Sequence, residues 1–153
     1  MRKLQKLNFS LLGGMLVLSL ITACNKDEED TPTIQNEVQS NLQSGNWRIT
    51  KFIDSGTDET DHFSGYNFTF NSSGVVNASN GTNTFDGTWS ITGSNSGDDS
   101  QNDLDLNINF NLTNDFEDLN DDWDFISQSA VKIELIDISG GNGGTDYLTF
   151  GKN

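Results

Sequence analysis

The chain has 153 residues, 23 acidic against eight basic, a formal net charge of −15, one cysteine and one histidine. That balance excludes nucleic-acid binding, whose affinity comes mainly from Lys and Arg neutralising phosphates. A single cysteine excludes an internal disulfide, so a chain of this length has to be held by one hydrophobic core.

Arg2, Lys3 and Lys6 precede an apolar stretch from Leu7 to Ala23, broken only by Asn8, Ser10, Gly13, Gly14, Ser19 and Thr22. A basic start, an apolar middle and small residues before a cut predict a cleaved signal over residues 1–23. A permanent transmembrane helix is the weaker alternative, because it wants ~20 predominantly apolar residues. The cysteine follows at once. Ile21-Thr22-Ala23-Cys24 resembles the lipobox of bacterial lipoproteins, with Ile21 where leucine is usual. The resemblance implies that Cys24 carries fatty acyl chains, palmitate among them, and becomes the mature N-terminus, with the lipid bilayer as its partner. Several chains anchor stably where one binds only marginally, at ~0.8 kcal/mol per buried methylene. Cleavage would remove three basic residues and no acid, leaving five basic against 23 acidic residues and a net charge of −18. Lys26-Asp27-Glu28-Glu29-Asp30 resembles the export signal of surface lipoproteins in Bacteroidetes-type Gram-negative bacteria. It implies the outer membrane, facing the cell exterior. The alternatives are its periplasmic face and a merely solvated tether.

Residues 24–33 hold the only proline and read as a flexible tether; the folded domain is expected over 34–153. Ile34, Val38 and Leu42 recur every four residues and predict a short helix from near Thr31 or Thr33 to Gly45, its stripe covering one end of the domain. From Asn46 the period becomes two. In "DLDLNINFNL", residues 103–112, Leu104, Leu106, Ile108, Phe110 and Leu112 share one face and Asp103, Asp105, Asn107, Asn109 and Asn111 the other. Similar runs span Trp47–Asp54, Gly65–Asn71, Val75–Asn80, Thr84–Thr92, Asp122–Gln128, Ala130–Ile138 and Asp146–Gly151, which makes eight strands. "NSSG", "NGTN" and Ser127–Ala130 read as tight reversals, 93–102 and 139–145 as longer loops. In "NDFEDLNDD", Asn114 and Glu117 have capping-box spacing, which predicts one helical turn.

Eight short antiparallel strands with short connections predict an all-β, up-and-down antiparallel β-barrel; a two-sheet β-sandwich would need a long crossover. "GNW" at Gly45–Trp47 opens the first strand after a helix, as the GxW motif of lipocalins does. With "FTFNSSGVV", "GTWSI" and "DDWDF" before "KIEL", residues 40–151 resemble the lipocalin-like domains of bacterial lipoproteins. Two features depart from that pattern. Thr145-Asp146-Tyr147 matches the second lipocalin motif by coincidence, since no further strands follow it, and the arginine that packs on the first-strand tryptophan has no obvious counterpart, Lys132 and Lys152 being the late basic residues.

His62, in "DETDHFSG", lies near Asp58, Glu59 and Asp61, but without a second histidine it cannot build a usual catalytic zinc site, and no enzyme is expected. Asp118, Asn120 and Asp122 have the one-three-five spacing of a calcium loop, yet Trp123 stands where glycine is needed and Ser129 where a bidentate glutamate is. A capped, solvated turn is the better reading there, and also for Asp98, Asp99 and Asp103. No metal or cofactor is expected. The aromatics carry the functional expectation. Tyr66, Phe68, Phe70, Trp89, Phe110 and Phe125 are candidate linings for a small, largely apolar ligand inside a monomeric barrel, with Gly45 and Trp47 as the fold motif. The alternative is a filled barrel that contacts a protein or glycan through its loops.

Overall fold

The structure is a computed structural model that describes residues 34–93, 104–138 and 144–153. The signal segment, Cys24, the tether, Asp98, Asp99, Asp103 and most of both long loops lie outside the described residues.

A helix, α1 (Ile34–Gln43), is followed by nine strands among the described residues. They are β1 (Trp47–Asp54), β2 (Thr57–Asp58), β3 (Asn67–Phe70), β4 (Val75–Ser79), β5 (Thr84–Gly93), β6 (Leu104–Asn109), β7 (Asp121–Gln128), β8 (Lys132–Ile138) and β9 (Thr145–Lys152). Each strand from β3 to β9 pairs antiparallel with the next, and β9 pairs with β1, so all but β2 form a closed eight-stranded up-and-down barrel. The two-residue β2 is a small flap on the end of β1, with Ile53 opposite Asp58. The barrel is the expected architecture, and the sandwich does not form. Closure gives every strand of the ring two neighbours, although β1 meets β3 at one residue pair only, Trp47 with Phe68.

Period-two sequences form these strands because one face turns inward and the other outward. On β6, Leu104, Leu106 and Ile108 are buried while Asp105 and Asn107 are only half-buried. Asn77, Asn107 and Asp124 each lie between two buried neighbours, and Asp86 and Ser90 are exposed beside inward-facing ones, so the wall is polar outside and apolar inside. That is the reverse of a membrane-spanning barrel, whose outer band is apolar.

Gly87 faces inward on β5, and a Cβ there would meet the Asn109 carbonyl oxygen at 2.6 Å and the Phe110 ring at 2.8 Å. The missing side chain lets Phe110 lie against the wall. Gly74 and Gly81 take φ of +80° and +84° in the turns at 71–74 and 80–83, a region open to glycine at no steric cost. Those two reversals are therefore where glycine and asparagine put them, with Asn80 accepting from the N–H groups of Thr82 and Asn83, while the third closes at Ser129–Lys132 rather than Ser127–Ala130.

Several elements differ from expectation: β2 is additional, β6 ends at Asn109 rather than residue 112, β8 begins at Lys132 rather than Ala130, and α1 and β3 are also shorter. The helix ends at Gln43 rather than Gly45, because the Ser44 N–H and hydroxyl both bond back to the Asn41 carbonyl and close the last turn. Strand β3 is shorter than the run Gly65–Asn71, since Gly65 takes φ of +82° and the Tyr66 N–H bonds the Phe63 carbonyl in a preceding turn. That turn, a 3-10 helix at Thr60–Phe63, has no period to announce it. The turn expected near 114–122 is present as a 3-10 helix at Asp115–Leu119, with the Asn114 carboxamide oxygen accepting from the Phe116 N–H at 3.2 Å.

Candidate functional site

Both mouths of the barrel are covered by segments outside the wall. At one, α1 turns Val38 and Leu42 into the core, each fully buried, a contribution of about 1.5–3 kcal/mol per side chain. Gln35 donates to the Ile91 carbonyl on β5 and Asn41 to the Gln128 carboxamide on β7, so the helix reaches across the opening. At the other mouth, the two 3-10 turns send in Phe63 and Phe116. Phe116 lies 4.8 Å from Phe85, 5.0 Å from Tyr66 and from Phe110, 5.4 Å from Phe63 and 6.1 Å from Phe68, centre to centre. Mostly edge-to-face, these contacts suit the ring quadrupoles.

The six candidate lining residues are thereby placed. Phe68, Phe70, Trp89, Phe110 and Phe125 are all at least nine-tenths buried, and Tyr66 is half-buried at the rim. Phe70 meets Trp89 at 5.5 Å and Phe150 at 5.5 Å, and Phe68 meets Phe150 at 5.5 Å. Sequence reasoning missed Phe52, Phe63, Phe116 and Phe150 as members of this network. The signal for Phe116 was its shared side with Leu119; Phe63 had none beyond its ring.

Each tryptophan fastens a segment outside its own strand. The indole N–H of Trp47 donates to the Leu42 carbonyl at 2.8 Å, that of Trp89 to Asn71 at 3.0 Å, and that of Trp123 to Leu119 at 3.1 Å. A helix end, a hairpin turn and a 3-10 end are held this way, and no indole is buried without an acceptor. Asn120 has a related task. Its carboxamide accepts from the Phe110 N–H at 2.5 Å and donates to the Phe110 carbonyl at 3.0 Å, as a paired strand would.

That use of Asn120 separates it from Asp118 and Asp122, so the calcium-like spacing is not brought together. The carboxylates that do meet are Asp121, Asp122 and Asp137, within 4.8 Å of one another where β7 and β8 approach the rim. Burial pushes the Asp121 carboxyl up to about 6 against the lowering pull of the Asp122 backbone N–H, which donates to it at 2.8 Å, while the Asp122 side chain and the Asp137 charge push with burial. Asp105, opposite Asp124 in the β6–β7 register, is raised by burial and by a side-chain hydrogen bond to Asp124. Burial raises Asp118 too, with Asp54, Asp115 and Glu117 adding repulsion. In contrast, the hydrogen bond from the Thr60 hydroxyl lowers Asp58, and Lys132 lowers Glu134. His62 is exposed, with its ring nitrogen 3.9 Å from the Glu59 carboxylate.

Gly45 leads into Trp47, and a Cβ on Gly45 would meet Lys152 Cε at 3.0 Å. The Lys152 ammonium stands 5.5 Å from the centre of the Trp47 ring and donates to the Ser44 hydroxyl at 2.8 Å.

One cleft opens through the side of the wall. Strands β1 and β3 share a single residue pair, Trp47 with Phe68, and beyond it they part. The gap is a cleft of about 380 Å³ bordered by Arg48, Ser64, Tyr66, Asn67 and Asn153.

No protein-family model matches the chain, and no curated protein matches it. Among solved structures it is similar to a DUF4847 family protein from Bacteroides vulgatus ATCC 8482, with a TM-score of 0.47 and 20% identity over 73% of this chain and 94% of that one. The class that the fold defines is a closed, eight-stranded antiparallel up-and-down β-barrel, preceded by one short α-helix among the described residues.

Proposed function

We propose that this chain is a lipid-anchored, non-catalytic lipoprotein of the outer membrane whose barrel is a filled, rigid body that makes its contacts from the outside. The observation that carries the reading is Phe116, which meets five other rings across one mouth of the barrel. The residues that could have lined an apolar pocket pack on one another instead, at separations ordinary for a protein core. Anchorage rests on Ile21-Thr22-Ala23-Cys24 and the acidic run after it, and the polar outer face of the wall suits a body held in water beside a membrane. Contact with a protein or a glycan through that surface is the expected activity.

Native mass spectrometry of the protein extracted in detergent from its host membrane tests both parts. The expected spectrum shows a mature chain beginning at an acylated Cys24 and no retained small molecule. A stoichiometric apolar passenger would restore the reading in which Tyr66, Phe68, Phe70, Trp89, Phe110 and Phe125 line a binding cavity. An unmodified Cys24 would remove the anchor.

A further inference from the structure

We propose that the side cleft between β1 and β3 binds a monoanionic, hydroxyl-bearing acid of the uronic-acid class, with Arg48 as the residue that recognises its carboxylate. Four Lys and Arg residues occur among the described residues, and three are engaged. Lys132 pairs with Glu134 at 2.5 Å, Lys152 bonds Ser44, and Lys51 stands 4.4 Å above the Tyr147 ring. Arg48 makes no hydrogen bond or ion pair among the described residues, and its exposed guanidinium borders the cleft. In a chain of net charge −15, an uncommitted guanidinium on a concave wall with no acidic side chain beside it is a local reversal of sign.

The neighbouring groups narrow the ligand class. A guanidinium matches a planar carboxylate through two parallel hydrogen bonds. One positive charge compensates one negative charge; a phosphate dianion would meet the repulsion of the surrounding acids with a charge left over. The other polar side chains of the border carry no charge. The Ser64 and Tyr66 hydroxyls donate no hydrogen bond among the described residues, and the Asn67 and Asn153 carboxamides bond each other across the gap. Such groups fit the hydroxyls of a sugar ring, while Ile49 and Phe63 give the floor an apolar base. The volume of about 380 Å³ lies within the range of small-molecule sites and takes one sugar residue. The cleft is on the outer wall, so the inference stands whether or not the interior is filled.

Isothermal titration of the full-length protein in detergent micelles tests it, with sodium D-glucuronate, D-glucose and a disaccharide ending in glucuronate as probes. Glucuronate or the capped disaccharide is expected to bind saturably and at least tenfold more tightly than glucose. Binding of the free acid alone points to a soluble metabolite, and tighter binding of the disaccharide to the end of a glycan; either supports the site. Arg48→Gln is expected to weaken binding at least tenfold, and Arg48→Lys to recover only part of it because the fork is lost. Lys132→Ala, at a side chain that does not border the cleft, should leave it unchanged. Because Arg48 is exposed, far-ultraviolet circular dichroism should show the variants folded. Glucuronate binding no tighter than glucose, or undiminished in Arg48→Gln, overturns the proposal.

Discussion

Trp47 and Lys152 face each other across the seal of the barrel: they are paired in the β1–β9 register, and the Lys152 ammonium stands 5.5 Å from the centre of the Trp47 ring. An interaction of this kind contributes ~0.5–1 kcal/mol when partly exposed. Lys152→Ala is therefore expected to lower the thermal midpoint by a few degrees, about what ~1 kcal/mol does in a domain of this size, and Lys152→Arg to restore it. Trp47→Phe keeps a ring but strips the Leu42 carbonyl of its donor, for a loss of about 1–3 kcal/mol. Scanning calorimetry of the three variants checks both statements, and a Lys152→Ala midpoint equal to the wild type would sink the first.

Removing the ring that closes the other mouth has a larger effect. Phe116→Ala leaves a void among Phe63, Tyr66, Phe68, Phe85 and Phe110, and a buried Phe→Ala change costs about 3–5 kcal/mol. Urea unfolding followed by tryptophan fluorescence should show it. The variant is also expected to bind an apolar dye that the wild type does not; equal dye binding by both would mean the mouth is open already.

Gly87→Ala tests the approach of Phe110 to the wall. The added methyl would sit 2.6 Å from the Asn109 carbonyl oxygen, which belongs to the paired strand and cannot rotate away. Overpacking of this kind costs about 1–3 kcal/mol. Adding Phe110→Leu relieves the ring contact but leaves the carbonyl, so the double variant should recover stability only in part, as read from denaturation midpoints. Full recovery would assign the constraint to the ring alone.

Protonation of the rim carboxylates makes stability depend on pH in an unusual sense. The Asp121 carboxyl is raised to about 6 in the folded state, above the ordinary value near 3.8, so the folded chain holds its proton more tightly than the unfolded chain does. Its contribution is complete below about pH 4 and is lost as pH rises through about 6. Asp105 and Asp118 are raised and act in the same direction, while the lowered Asp58 and Glu134 oppose them only near their own, more acidic range. Acidification from pH 7 to 5 is thus expected to stabilise the protein. Solvent screening reduces the Asp121 share to roughly 1 kcal/mol. Asp121→Asn should raise stability at pH 7 and flatten the slope; urea midpoints that fall on acidification, or a slope that the variant keeps, would contradict this.

The strands were legible because burial on one face writes itself into alternate residues, as in Leu104, Leu106 and Ile108. The mouths were not. Phe63 lies in a segment whose polar residues point to solvent, and only the fold shows its ring 5.3 Å from Phe52 and 5.4 Å from Phe116. Lys152 over Trp47, and Asp121 beside Asp137, join residues far apart in the chain, and no local pattern encodes such a meeting. The cleft is a third case. Arg48 and Asn67 each sit in an ordinary strand, and the space between them exists because β1 and β3 separate after one pair.

The pairing of β1 with β9 also bears on how the molecule is made. Its first strand waits for its last, so the ring stays an open sheet until Thr145–Lys152 are free to pair, and the many distant pairings slow its assembly. A chain cut short before Thr145 would present two raw margins, on β1 and on β8, each ready to zip onto another unfinished copy. Thr145–Lys152 cover both margins at once, as the partner of β1 on one side and of β8 on the other.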